Sequence, residues 1–219
     1  MTYNIIGSGS SGNAVIINNR ILIDAGMPFS KISPFAKNLQ MVLLTHVHSD
    51  HFNPATVRKL HELRPALRFA CCEWMAFHLV QAGVNERMID ILDPDGIYKY
   101  GLITVIPFML RHNVQNCGWK VWIFWSAMAI KPERLLYATD TVSMDGVEAK
   151  DYDLYLLECN HREDEIQAKI AEKTASGQFS YEVRAAQTHL SWEKAMAWLS
   201  ENQGPNSKFI PMHQHVDKE

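Results

Sequence analysis

The stretch Leu43-Leu44-Thr45-His46-Val47-His48-Ser49-Asp50-His51 sets three imidazoles and a carboxylate within six residues, directly after an apolar run. Crowded neutral nitrogen donors beside a carboxylate are metal-site chemistry. His46 and His48, two apart in extended backbone, project to the same side, while Asp50 and His51 turn the corner toward a second position beside them. The arrangement suits two adjacent cations. Met41 to Leu44 reads as a short buried strand, and Asn53-Pro54 supplies an N-cap followed by proline at the first helical position. The cluster therefore sits on a strand-to-helix loop, where side chains can converge on one point.

The elements around this loop follow from patterning. Ala14 to Ile17 and Arg20 to Asp24 read as paired strands joined through Asn18-Asn19, residues that tolerate the positive φ of a tight hairpin turn. Val57 to Leu63 and Trp74 to Gln81 read as helices. Gly118 to Ala129 and Arg134 to Thr139 form a second expected hairpin across Lys131-Pro132-Glu133, Asp153 to Leu157 is another strand, and helices follow over 163–174 and 191–200, with Ser191 as N-cap of the last. Gly7-Ser8-Gly9-Ser10-Ser11-Gly12-Asn13 lacks the Lys-Ser/Thr ending of a phosphate loop, and Val15-Ile16-Ile17 after it is strand-like, so it is expected to be a tight inter-strand loop. Asp24 is expected to orient a ligand or a loop without touching metal. His61 and His78 sit in helical patterns and read as packing or surface histidines. Periodicity alone gives a mixed α and β class.

At 219 residues, nearly half of them apolar, the chain can bury a substantial core, and one domain over 1–219 is the economical reading. Its start lacks the basic and long apolar regions of a signal peptide, and no run approaches the roughly 18 apolar residues of a membrane span, so a cytoplasmic protein without membrane partners is expected. The cysteines Cys71, Cys72, Cys117 and Cys159 lack zinc-finger spacing and read as reduced thiols, with Cys159 a packed strand residue. A net charge of -3 and the absence of a Lys/Arg cluster argue against a long electrostatic track for duplex nucleic acid.

The His46-x-His48-x-Asp50-His51 pattern resembles the HxHxDH signature of the metallo-beta-lactamase superfamily, and that resemblance runs nearly the whole length of the chain. It implies a four-layer αββα sandwich. It also supplies the remaining ligands: His112 after the run Ile106 to Leu110, Asp140 after Leu135 to Ala138, and His213 after Phe209-Ile210-Pro211-Met212, with His215 close by as the competing choice. One metal is then held by His46, His48 and His112, a second by Asp50, His51 and His213, with Asp140 between them. The donor set suits zinc or manganese, and also iron or nickel. Members with a redox di-iron centre tend to carry Glu where this chain has His48, so two divalent ions serving hydrolysis are expected, polarising a shared water.

The C-terminal third narrows the chemistry. Glu158-Cys159-Asn160-His161, Gly177-Gln178-Phe179-Ser180-Tyr181 and His189-Leu190-Ser191 are similar to elements of the YycJ-type (WalJ-type) branch, regarded as DNA exonucleases, and the Glu and His pair is similar to that of tRNase Z. The resemblance implies that Glu158 orients His189, that His189 donates a proton to the leaving oxygen, and that Asp50 completes the catalytic set. Departure of an alkoxide from phosphate needs a donor near pH 7, and an imidazole beside a carboxylate provides one. The chain departs from the branch at Asn113, where an Asp is common, and between Tyr181 and His189, where Arg184 is the lone cation. A nucleic-acid or nucleotide substrate is expected, with a small nucleotide phosphodiester or an acyl ester such as a lactone or thioester as the alternatives.

Overall fold

The computed structural model describes residues 1–214. Its elements follow in chain order. Strands β1 (Tyr3–Gly7), β2 (Ala14–Ile17) and β3 (Ile21–Ile23) precede helix α1 (Phe29–Ala36) and β4 (Met41–Leu43). Helix α2 (Pro54–Leu63), β5 (Arg68–Cys71), α3 (Glu73–Gln81), β6 (Ile89–Ile91) and β7 (Tyr98–Tyr100) come next. Strands β8 (Ile103–Leu110), β9 (Asn116–Ile123), β10 (Glu133–Ala138) and β11 (Leu154–Glu158) lead to α4 (Glu163–Ala175), α5 (Tyr181–Thr188), α6 (Trp192–Asn202) and β12 (Lys208–Met212).

Two six-stranded mixed sheets result, in the orders β1-β2-β3-β4-β5-β6 and β12-β11-β10-β9-β8-β7. Pairing is antiparallel from β1 to β3 and parallel from β3 to β6; in the second sheet it is antiparallel from β7 to β10 and parallel from β10 to β12. The strands alternate two buried faces. Val15, Ile17, Ile23 and Leu43 meet Val121, Leu135, Tyr137 and Leu156 between the sheets. Ala14, Ile16, Leu22 and Val42 pack outward on Ile32, Val57, Leu60 and Met75, whereas Leu136, Ala138, Tyr155 and Leu157 pack on Leu190, Ala195 and Leu199. That period-two division, with helices outside both sheets, is the expected αββα sandwich.

Local chemistry accounts for the element ends that matter. Asn53 accepts from the Ala55 and Thr56 amides and Ser191 from the Lys194 amide, so both expected N-caps are present. Asn18 and Asn19 take φ of 48° and 55° in the β2–β3 hairpin. Residues 8–13 link the antiparallel strands β1 and β2, as an inter-strand loop does. One expectation needs correction, and one helix went unread. The strand expected to run to Ala129 ends at Ile123, and Trp125, Met128 and Ile130 beyond it are exposed, so apolar composition there does not mean burial. Helix α1, unread in the sequence, holds Pro34 internally; the Ser30 carbonyl near the missing N–H accepts instead from Ser33 Oγ at 3.1 Å. No helix among the described residues is long and apolar enough to cross a membrane.

Candidate metal centre

The carboxyl ends of β3, β4, β8, β10, β11 and β12 open on one edge of the sandwich, and the chemically active residues sit just past them. Three of those residues turn the chain sharply. Asp24, Asp140 and His213 take φ of 59°, 56° and 50°, a left-handed backbone that Asp and His tolerate better than bulky residues do. Gly26 allows the β3 exit to approach the histidine loop, since a Cβ there would lie 1.8 Å from the Asp50 carbonyl oxygen.

The imidazoles of His46, His48 and His112 converge, with His46 Nε2 3.1 Å and His112 Nε2 3.4 Å from His48 Nδ1. No carboxylate separates these nitrogens. Burial pushes the pKa of all three below the ordinary histidine value, most for His46, so they present lone pairs. Beside them, Asp50 Oδ2 lies 3.5 Å from His213 Nε2 and 3.6 Å from His51 Nε2. Asp140 faces both groups, with Oδ2 2.6 Å from His51 Nε2 and Oδ1 3.6 Å from His213 Nε2 and 3.9 Å from His112 Nε2. Burial favours a protonated Asp140, yet His51 and the other imidazoles outweigh it and hold the carboxyl well below its usual range. Burial likewise favours a protonated Asp50, but the hydrogen bond from His213 and the His51 charge together lower its pKa.

Whether a cation fits can be tested on Asp140 itself. Its Oδ2 is buried and, although close to His51 Nε2, accepts no hydrogen bond. His51 Nδ1 is already engaged with Asp24 Oδ2 at 2.7 Å, which leaves Nε2 turned toward that oxygen. A buried ring nitrogen and a carboxylate oxygen this close need positive charge between them, a proton in the metal-free protein or a metal cation that replaces it. The buried His/Asp clusters are consistent with a binuclear metal site, and His46, His48 and His112 on one side and Asp50, His51 and His213 on the other are two of the four compact groups found among the described residues.

Every sequence-predicted site residue within the described chain arrives at this edge. His215 lies outside the described residues. Glu158 and His189 sit beside Asp140: His189 Nδ1 is 2.7 Å from Glu158 Oε1 and 3.4 Å from Asp140 Oδ1, while Glu158 Oε2 accepts from the Thr141 and Leu190 amides. Asp24 takes its expected orienting place, binding His51, Thr45 and the Tyr137 hydroxyl. His61 and His78 lie on α2 and α3, away from these groups. All four cysteines are free and buried, and burial pushes the Cys159 thiol up to about 12, which suits a packing role.

Sequence reading missed several partners. Asn13 Nδ2 lies 2.8 Å from His51 Nε2 and 3.3 Å from Asp50 Oδ2, and Asn160 donates to the His213 carbonyl at 2.9 Å. Their one visible signal is an amide bordering a strand pattern.

The fold, the ligand geometry and a family-model match now coincide. The model of the beta-lactamase superfamily domain matches residues 19–214. This chain belongs to the metallo-beta-lactamase superfamily. No curated protein matches the sequence. Among solved structures, this metallo-beta-lactamase-fold chain is similar to YhfI from Bacillus subtilis at TM-score 0.70 and 16% identity, covering 99% of this chain and 87% of that one. Human tRNase Z, short form, gives TM-score 0.69 at 13% identity over 98% and 92%. A diphosphatase from the PhnP family gives 0.60 at 14% over 97% and 85%. At such identities the likeness speaks for the fold.

Loading this superfamily site should release protons. Burial opposes a charged His51, but Asp140 and Asp24 outweigh it and raise its pKa well above the ordinary value; His213 is raised likewise, by Asp50 and Asp140. Both imidazoles then hold a proton more firmly than an ordinary histidine without metal, and a cation must displace it. Metal affinity therefore rises with pH up to the raised values. Calorimetric titration of metal-free protein with zinc, in buffers of different ionisation enthalpy, should report about one to two protons released near pH 7; a buffer-independent heat would contradict the assignment.

Proposed function

We propose that the chain is a metal-dependent phosphodiesterase acting as a nuclease, with one domain over 1–219 carrying the activity. The observation that carries this reading is the buried Glu158–His189 pair, 2.7 Å apart and beside Asp140. An alkoxide leaving phosphate needs a proton, whereas an acyl ester depends on such a donor far less. His46, His48 and His112 would hold one divalent ion and Asp50, His51 and His213 the other, with Asp140 between, and Zn or Mn would fit these donors. When bound, the two ions supply a water acidic enough to attack near neutrality and offset charge on the phosphate.

The protein's own groups do the rest. Asp50 reaches the cleft surface, is steadied by Asn13, and takes the proton of the attacking water. Glu158, fixed by two backbone amides, holds His189 Nδ1 so that Nε2 delivers a proton to the leaving oxygen. Arg184, the one Lys or Arg among the described residues lining this cleft of about 270 Å³, meets a phosphate oxygen. The ExNH and HLS elements support the YycJ-type exonuclease branch, and a tRNase and a diphosphatase among the structural neighbours support phosphate chemistry.

With net charge -3 and one cation at the cleft, few phosphates are gripped. A small nucleotide phosphodiester, cyclic or linear, is the second reading that this charge balance favours. Reconstituted protein should cleave bis-p-nitrophenyl phosphate and end-labelled DNA, favouring ends or single strands, and log affinity against log salt should have a shallow slope, equivalent to roughly two to four phosphates. A steep slope on duplex DNA would reveal an extended basic track. Opening of a lactone or thioester, with every phosphodiester left intact, would replace the proposal with acyl hydrolysis.

A further inference from the structure

Next to the metal cleft lies a second cavity of about 430 Å³, within the size range of small-ligand sites. It is formed where β11 ends and α4, α5 and the start of α6 meet. The wall between the two spaces is thin. Tyr181 lines both of them, and Asn160 lines this cavity while its amide donates to the carbonyl of His213, which lines the other. A ligand with its phosphate among the histidines has this cavity as its neighbour across Tyr181.

The lining identifies the kind of group. Ile166, Ala185, Trp192 and the Tyr181 ring supply flat or apolar surface. The Arg162 guanidinium lies over the Trp192 ring, 5.1 Å from its centroid, and its side chain is half exposed, so a planar cation stands beside the indole at the cavity's edge. Charge at the rim balances. Arg162 and Lys169 are matched by Glu165 and Glu182 among the lining residues, Arg162 Nε lies 4.0 Å from Glu165 Oε1, and Glu182 is itself engaged by Lys173 and Ser180. A second phosphate would need an excess of cations, and an acyl chain would leave these polar groups desolvated without partners. A neutral heteroaromatic ring, with apolar faces and hydrogen-bonding edges, satisfies both requirements; His161 and Gln214 supply groups for its edge.

We infer that this cavity receives the nucleobase of the nucleoside flanking the scissile phosphate. The inference rests on the phosphodiesterase reading and deepens it, because it assigns substrate recognition to base stacking beside the metal centre. It also fits the small number of cations, since stacking is sequence-tolerant and carries affinity without phosphate contacts.

The test compares two esters with the same leaving group on reconstituted protein: the p-nitrophenyl ester of thymidine 5′-monophosphate and methyl p-nitrophenyl phosphate. The nucleoside ester should be favoured about 10-fold or more in kcat/KM, mainly through KM, and Arg162→Ala should cut that ratio by about 10-fold. Thymidine 5′-monophosphate should likewise inhibit more strongly than methyl phosphate, and the variant should narrow that gap. Arg162→Lys distinguishes the cause, because it keeps the charge and loses the plane; it should behave like Arg162→Ala. Rescue by lysine would make Arg162 a phosphate contact and overturn the base assignment. Ready cleavage of both esters at a ratio near one overturns the cavity's role and leaves the phosphodiesterase reading standing. Cleavage of neither, with a lactone or thioester opened, defeats that reading and the nucleobase with it.

Discussion

Asp140→Ala should empty both cation positions together and bring turnover down to that of metal-free protein. The side chain's Oδ2 lies 2.6 Å from His51 Nε2, while Oδ1 lies within 4 Å of His213 Nε2 on one side and His112 Nε2 on the other. One carboxylate thus faces ligands of both groups. Removing it also removes a buried negative charge that offsets the charge of bound cations, so the loss is electrostatic as well as geometric. Elemental analysis of dialysed protein gives the readout: close to two ions per chain before the change and close to none after it. Alanine at a left-handed backbone position costs on the order of 1 kcal/mol of its own. Asp140→Asn provides the control, because asparagine tolerates that conformation and differs in charge; it should fold normally and still hold metal poorly. Loss of a single ion in both variants would move Asp140 out of the bridge.

The histidine loop was legible in the sequence because its four ligands are neighbours in the chain, and spacing alone puts them together. His112, Asp140 and His213 are different. Each is a single polar residue past the end of an apolar strand, and only the family resemblance told them apart from other strand ends. The structure adds a physical signature at two of them, a left-handed backbone that Asp and His tolerate. The supporting residues carry little local signal, an amide at the border of a strand pattern at most. Asn13 meets His51 across 38 positions and Tyr137 meets Asp24 across 113, so nothing in either neighbourhood announces the partner.

The same distinction runs through the fold. Strands whose two faces are both buried, such as β2 and β11, read clearly from their apolar runs. Strands β5, β6 and β7 span three or four residues and gave no usable periodicity, and α5 escaped because charged Glu182 and Arg184 break its short pattern. Trp125, Met128 and Ile130 misled in the opposite direction, since apolar residues on a hairpin loop extend the apparent strand without being covered. Position relative to a sheet end, which period and composition do not encode, decided most of what was missed.

His189→Ala should lower the rate on a phosphodiester with a poor leaving group by about 10²-fold or more, and far less on a p-nitrophenyl ester, whose leaving group departs without a proton. The geometry gives the reason. His189 Nδ1 is committed to Glu158 Oε1, and that carboxylate is held from behind by the Thr141 and Leu190 amides, so the ring presents Nε2 toward the cleft it lines. Glu158→Gln should act in the same direction, because an amide set against Nδ1 no longer supports a charged imidazole. A rival account exists within the same few ångströms, since Asp140, Glu158, His189 and His213 lie close enough together to hold an ion themselves. Metal content separates the two. A proton donor can be deleted with both ions retained and only the difficult substrate slowed, whereas a ligand takes metal with it and slows both substrates alike. Equal losses on the two esters, accompanied by a fall in bound metal, would therefore reassign His189 from proton transfer to coordination.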